Sequence, residues 1–192
     1  MNRTILLDAG HGGMINGQYQ TQGKRSPKWS DGTQLFEGEF NRAVKLRVME
    51  MLQIAGIKYV DINPQQTDLS LQDRVEHANT YKSSSLYISI HANAGGGTGC
   101  EVFTSENCSN ASTALANEIA SQYPTFFPNE KWRGVKKRDF YVVKNTNMPA
   151  VLIECFFMDR EKECKKHLMT VEGRDQIAKW IYSSIKTFLD FL

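Results

Sequence analysis

Apolar residues fall along the chain in two alternating patterns, short unbroken runs and steps of three and four residues. The first run, Ile5-Leu6-Leu7, meets Asp8 and then Ala9-Gly10-His11-Gly12-Gly13, which predicts a buried strand delivering one histidine to a glycine-rich turn. Gly10, Gly12 and Gly13 leave room for a ligand or a second segment beside the imidazole, although a turn or capping histidine is a competing reading. From Glu37 the pattern is helical, with Phe40, Val44, Val48, Met51, Leu52 and Ala55 on one face and Gly56 as the stop. Ile57 to Ile62 reads as a second strand, broken at Pro64. Ser70-Leu71-Gln72-Asp73 has the form of a capping box, opening a helix with Leu71, Val75 and Ala78 inward and His77 in solvent. Leu86 to Ile90 is a strong strand run, followed by His91-Ala92-Asn93 and Gly95-Gly96-Gly97, so the order strand, histidine, glycine turn occurs twice. Cys100 to Thr104 predicts another strand, and Ala111, Leu115, Ile119 and Ala120 a helix that stops before Pro124. Ala150 to Glu154 is the last core strand, and Ile177, Ile181, Ile185 and Phe188 form the stripe of a closing helix.

Asn16 to Gln34 shows neither period, and loops this long in a compact domain are usually functional or mobile. Trp29, amid Lys24, Arg25 and Lys28, suits a groove wall touching a sugar or peptide, and equally a plain surface loop. Trp132, Arg133, Lys136, Lys137 and Arg138 read as a loop whose charges form a solvated face rather than a phosphate site.

A chain of 192 residues without linker or repeat is expected to form a single domain, residues 1–192, with no separate second domain. Its net charge of +2, from 23 basic and 21 acidic residues, names no nucleic-acid partner. Four cysteines, Cys100, Cys108, Cys155 and Cys164, make neither a C-x-x-C pair nor a dense framework and are expected to be free thiols. Asp8 cuts the first apolar run too soon for a signal-peptide core or a membrane span, so no membrane insertion is expected. The expectation is cytoplasmic synthesis without a signal peptide.

Four residues stand where packing alone explains them poorly. His11 and His91 follow strands, Glu154 ends an apolar run, and Glu37 opens a helix. Dipole stabilisation would account for Glu37 by itself, and pairing with an arginine for Glu154. Taken together they are two histidines and two glutamates. Zinc accepts imidazole nitrogen and carboxylate oxygen, and hydrolytic zinc sites commonly use three protein ligands and keep a fourth position for water. His, Glu and His as ligands, with a separate Glu moving the proton, satisfy that chemistry.

The motifs resemble those of the zinc-dependent N-acetylmuramoyl-L-alanine amidases of the amidase-3 type. Leu7 to Gly13 is similar to that family's L-D-P-G-H-G-G, Glu37 with Asn41 to its E-x-x-x-N, and Ser70-Leu71 with Arg74, Ala78 and Asn79 to its S-L-x-x-R-x-x-x-A-N. Ser89 to Asn93 resembles S-I-H-A-N, Gly134-Val135-Lys136 resembles G-V-K, and Pro149 to Glu154 resembles P-A-V-L-V-E. The resemblance implies a single α/β domain with a mixed, mainly parallel sheet between helices, phosphorylase/hydrolase-like. It implies His11, Glu37 and His91 as zinc ligands and Glu154 as the catalytic carboxylate. The implied reaction cuts the amide between the lactyl group of N-acetylmuramic acid and the L-alanine of the peptidoglycan stem. A zinc peptidase or amidase for another acylated peptide, and a silent wall-binding protein, are the alternatives. The bare domain is expected to be a monomer reaching the wall after release or delivery, as a phage lysin helped by a holin or an effector carried by a delivery machine, with a bacterial enzyme trimmed of its leader as the other alternative. Three departures bear on the rim and substrate preference: Ala9 replaces the usual proline, the segment near Asn63 lacks the usual T-R, and Cys155 to Asp159 replaces G-F-x-x-N.

Overall fold

The computed structural model describes residues 3–191; Met1 and Asn2, where the segment read for a leader begins, and Leu192 lie outside them. In chain order the elements are β1 (Ile5–Ala9), β2 (Met14–Ile15), β3 (Gln18–Tyr19), α1 (Glu37–Ile54), β4 (Tyr59–Asp61), α2 (Leu71–Asn79), β5 (Leu86–Asn93), β6 (Cys100–Thr104) and α3 (Asn110–Phe126). There follow β7 (Trp132–Lys137), α4 (Tyr141–Asn145), β8 (Ala150–Phe157), the short α5 (Glu161–Glu163), a π-helical turn at Cys164–Leu168 and α6 (Val171–Asp190).

Six strands form one sheet in the order β4-β1-β5-β8-β6-β7, with β2 and β3 as a separate hairpin. Every pairing in the large sheet is parallel except β6 with β8, so the expected single α/β domain with a mixed, mainly parallel sheet is found. Unbroken apolar runs are what a sheet covered on both faces requires, because alternate side chains enter opposite layers. Ile5 and Leu7, Ile88 and Ile90, and Val151 and Ile153 meet α1, α3 and α6 on one face. Leu6, Tyr87 and Leu152 meet α2 and α4 on the other.

Several boundaries differ from the sequence reading. α3 runs through Pro124 to Phe126, because a proline in the last turn forfeits little more than one backbone bond. The basic stretch Trp132–Lys137 is a strand, not a loop; its edge position beside β6 leaves its charged side chains half in solvent. Leu71 is exposed and Arg74 takes the inward place on α2, since Arg74 has a buried carboxylate to meet. His77 is half-buried, with Nδ1 2.9 Å from the Ile62 carbonyl, and Ala55 lies beyond the end of α1. Within the segment read as lacking structure, Asn16 and Gly17 both take positive φ, 49° and 77°, and close the β2–β3 hairpin. An Asn-Gly pair is the residue choice for such a turn. All four cysteines are free, three of them buried.

Glycine matters most where α1 meets the turn after β1. A Cβ on Gly38 would lie 1.8 Å from the Gly12 carbonyl oxygen, and backbone cannot swing aside as a side-chain tip does. Alanine at a helical position ordinarily gains about 1 kcal/mol over glycine. Here Gly38→Ala is expected to destabilise, by roughly 1–3 kcal/mol as for other overpacked contacts. A lowered midpoint in urea unfolding is the expected result, and an unchanged or raised midpoint would show that the two segments are not in fixed contact.

Candidate active site

Three elements bring the site together. His11 follows β1 in a left-handed conformation, φ 69°, which an L-residue holds only when its surroundings fix it. Arg42 does so from α1, donating to the His11 carbonyl at 2.7 Å and also to the Gln65 carbonyl at 3.0 Å. Asn41 donates to the Gly10 carbonyl at 2.9 Å, and the Gly10 N–H donates to the Ile90 carbonyl at 2.9 Å, tying turn, helix and β5 into one unit. Asn41 stands one turn beyond Glu37, so both face the same turn. A Cβ on Gly10 would lie 2.1 Å from the His91 ring, so that position leaves the imidazole its room.

Glu37 is buried at the start of α1. Its Oε1 lies 3.2 Å from His11 Nε2 and 3.2 Å from His91 Nδ1, and it accepts the Ala92 N–H at 3.2 Å. The two imidazoles meet edge to face with centroids 5.1 Å apart. Burial would raise the Glu37 carboxyl, but the bonds to His11 and His91 outweigh it and hold the group well below the usual carboxylate range. One ligand atom from each of the three residues lies within 4.8 Å of the other two. Donors about 2.0–2.1 Å from a tetrahedral ion stand roughly 3.3 Å apart. Both contacts to Glu37 match that edge, and two imidazoles with one carboxylate is a donor set suited to zinc.

Glu154 lies beside this cluster. On β8 it is in register with His91 of β5 on one side and Glu101 of β6 on the other. Its Oε2 is sealed from solvent and has no hydrogen-bond partner among the described residues. Burial raises the Glu154 carboxyl to about 7, nearby Glu37 and Glu101 push the same way, and His91 opposes them. His11, Glu37, His91 and Glu154 all line one cavity of about 720 Å³, and Trp29 does not, being packed against the apolar core.

Two buried carboxylates near the site escaped the sequence reading. Asp8 accepts from Arg74 Nη1 at 2.5 Å and Ser89 Oγ at 2.8 Å, and Arg74 also donates to the Ala9 carbonyl at 2.7 Å. Glu101 accepts from Asn93 Nδ2 at 2.6 Å, from Arg133 Nε at 2.8 Å and from Lys136 Nζ. Arg133 and Lys136, expected on a solvated face, are thus partly engaged in holding a buried acid. A glutamate in the middle of the run Cys100 to Thr104 was the available signal, of the kind that marked Glu154.

The profile of the N-acetylmuramoyl-L-alanine amidase family matches residues 5–187. The chain belongs to that family. Among its relatives, the amidase LytC of Bacillus subtilis (strain 168) is 30% identical over 193 residues, covering 98% of this chain and 36% of LytC. An uncharacterized protein of the same organism, YqiI, is 32% identical over 191 residues, covering 98% of this chain and 85% of YqiI. The crystal structure of an N-acetylmuramoyl-L-alanine amidase from Clostridium difficile 630 superposes with a TM-score of 0.83 at 27% identity, covering 99% of this chain and 98% of that one. The amidase family is a hydrolase family, the enzyme class that the motifs implied.

Two departures from the amidase pattern meet in space. Ala9 donates its N–H to Asn63 Oδ1 at 3.0 Å, and Asn63 Nδ2 donates back to the Ala9 carbonyl at 2.5 Å. Proline at position 9 would have no N–H to give.

The Asp8–Arg74 pair yields a pH-dependent prediction. Burial would raise the Asp8 carboxyl, but Arg74 and Ser89 more than offset it and leave it below the ordinary value. Stabilisation by a carboxylate so lowered is complete above its unfolded value of about 3.9 and is lost as pH falls through the lower native value. Arg74→Met, which strands the Asp8 charge, is expected to cost roughly 3–5 kcal/mol at pH 7 and progressively less in acid. Urea unfolding of both proteins from pH 7 down to 2 checks it; a difference that stays constant over that range would contradict the assignment.

Proposed function

We propose that this chain is a zinc-dependent N-acetylmuramoyl-L-alanine amidase that hydrolyses the amide between the lactyl group of N-acetylmuramic acid and the L-alanine of the peptidoglycan stem. His11, Glu37 and His91 would hold the zinc, and Glu154 would be the catalytic carboxylate. The observation that carries this reading is the unpartnered, buried Oε2 of Glu154 beside three converging donor atoms in one cavity. A buried carboxyl oxygen without a protein partner, beside a candidate metal site, is free to bond a water or a substrate group.

Zinc, when bound, supplies Lewis acidity toward a carbonyl or water oxygen. The remaining work falls to the chain. Glu154, raised to about 7, takes a proton from the attacking water at neutral pH and returns it to the departing alanine nitrogen, which leaves as a neutral amine. The net reaction consumes one water and gives a lactyl carboxylate and a free amino terminus. Glu37 would stay off the proton path because, as a ligand beside His11 and His91, its carboxylate is committed to the metal. No helix among the described residues is long and apolar enough to cross a membrane, and the reading needs none.

The two glutamates are expected to fail differently. Glu154→Gln should keep about one zinc per chain and lose activity by on the order of a hundredfold or more. Glu37→Gln should lose zinc first, with activity partly restored by excess metal. Metal analysis beside mass measurement of the fragments released from purified murein checks both. The expected fragments are stem peptides beginning with L-alanine; intact murein with tight binding would mark a silent wall-binding protein, and a zinc-free Glu154→Gln would reverse the roles.

A further inference from the structure

Most cations around the cavity already have partners. Arg74 is tied to Asp8, Arg42 to backbone carbonyls, and Arg133 and Lys136 to Glu101. Of these only Arg74 lines the cavity; Lys24 and Arg138 line it too, and among the described residues neither side chain is paired with a carboxylate. Lys24 projects from the loop before α1. Arg138 is held more closely. Its N–H donates to the Thr104 carbonyl at 2.9 Å, and its own carbonyl accepts the Phe140 N–H at 2.7 Å. Its guanidinium lies 4.8 Å over the Phe140 ring, which in turn meets the buried Phe103 edge to face at 5.0 Å. The planar fork, itself exposed at the rim, therefore rests over an aromatic platform rooted in the core, and among the described residues its donors have no carboxylate partner.

Glu37 and Glu154 line the same cavity, and on the reading above the zinc would answer the charge of Glu37. A fixed cation at the rim is of use when the ligand brings an anion of its own. On the reading above the two sides of the scissile amide differ in this respect. An N-acetylated glycan is neutral, whereas the stem peptide carries carboxylates. Exposed Leu71 and Tyr141 lie along the same cavity and offer apolar surface to the aliphatic parts of a peptide.

We propose that Arg138 is a specificity-determining residue that binds a carboxylate of the stem peptide, and so places the peptide side of the substrate along the Phe140–Tyr141 edge of the cavity. A guanidinium matches a carboxylate through two parallel N–H···O bonds, and a charged bond of this kind is worth enough to change affinity about tenfold or more. The inference rests on the amidase reading and adds its substrate class.

The test uses the zinc-loaded enzyme and three soluble muropeptides with tetrapeptide stems: one with free carboxylates, one amidated at the second residue and one amidated at the terminal residue. Arg138→Gln is expected to raise KM about tenfold on the free stem with kcat changed by less than about twofold, and that penalty is expected to vanish on one of the amidated stems. Arg138→Lys should recover part of the loss. Lys24→Gln removes the same charge from the same cavity without the fork, and should alter all three substrates alike. Arg138→Gln acting equally on all three, or through kcat alone, would overturn the inference while leaving the amidase reading intact. A wild-type enzyme that releases L-alanine-terminated stems from none of them overturns the amidase reading and the inference with it.

Discussion

The first turn of α1 lies against the turn after β1 so closely that Gly38 and Gly12 meet backbone to backbone, and the rest of the site depends on this contact. Helix starts are polar and prefer solvent, yet this one is driven into the sheet edge with Glu37 buried. The helix N-terminus favours a negative charge there, and the carboxylate finds two imidazoles and the Ala92 N–H waiting. Asn41 and Arg42, on the next turn, take up the Gly10 and His11 carbonyls that the glycine turn would otherwise leave bare. One helix thus supplies a candidate ligand and the hydrogen bonds that hold another in an unfavourable backbone conformation.

Charge around the cavity is arranged by the same logic. Four carboxylates lie close together, a costly grouping unless each is answered. Asp8 is answered by Arg74 and Ser89, Glu101 by Arg133, Lys136 and Asn93, and Glu37 by the two histidines. Of these four, Glu154 is the one with a solvent-sealed oxygen that has no partner among the described residues, and the neighbours Glu37 and Glu101 help to raise its proton affinity. Spare proton affinity is concentrated on one carboxyl because the others have been given cations or hydrogen bonds.

Much of this was legible in the chain. Continuous apolar runs announced a sheet covered on both faces, and a histidine or glutamate at the end of such a run marked a side chain leaving the core at the strand's carboxyl edge. The structure brings His11, Glu37, His91 and Glu154 to one cavity, as the motifs implied. Less legible was whatever depends on a distant partner. Arg74 takes an inward place that a hydrophobic periodicity would give to Leu71, because Asp8, sixty-six residues away, waits in the core. The basic run at Trp132–Lys137 looked like a solvated loop because strand pairing at a sheet edge leaves no hydrophobic signature, and Glu101, which draws in two of its charges, lies on another strand. The Asn16-Gly17 turn was visible in principle, but two-residue strands are too short to show a period of two.

The departures from the amidase pattern acquire a physical sense when their bonds are followed. Asp159 stands where asparagine is usual, and its Oδ2 accepts the N–H groups of Gly95 and Gly96, each at 2.8 Å. An amide oxygen could accept the same two bonds, so the exchange preserves the clamp on the glycine loop that follows His91 and Asn93. Cys155, in the place of a glycine, is enclosed in the core on the α1, α3 and α6 face. It is the next residue, Phe156, that takes the left-handed conformation, φ 54°, with its ring stacked on His167 at a centroid distance of 4.0 Å. Such a conformation costs on the order of 1–3 kcal/mol and persists where packing fixes it. Here the packing comes from a histidine in the π-helical turn, whose Nε2 lies 3.0 Å from Glu130 Oε1. Ala9 and the altered segment near Asn63 share one bond pattern, since the N–H that proline would lack is the one that Asn63 accepts. At Ala9 and at Asp159 the altered residue keeps a strand end or a following turn in position, so these changes lie in how the cluster is framed and the four side chains at its centre are retained.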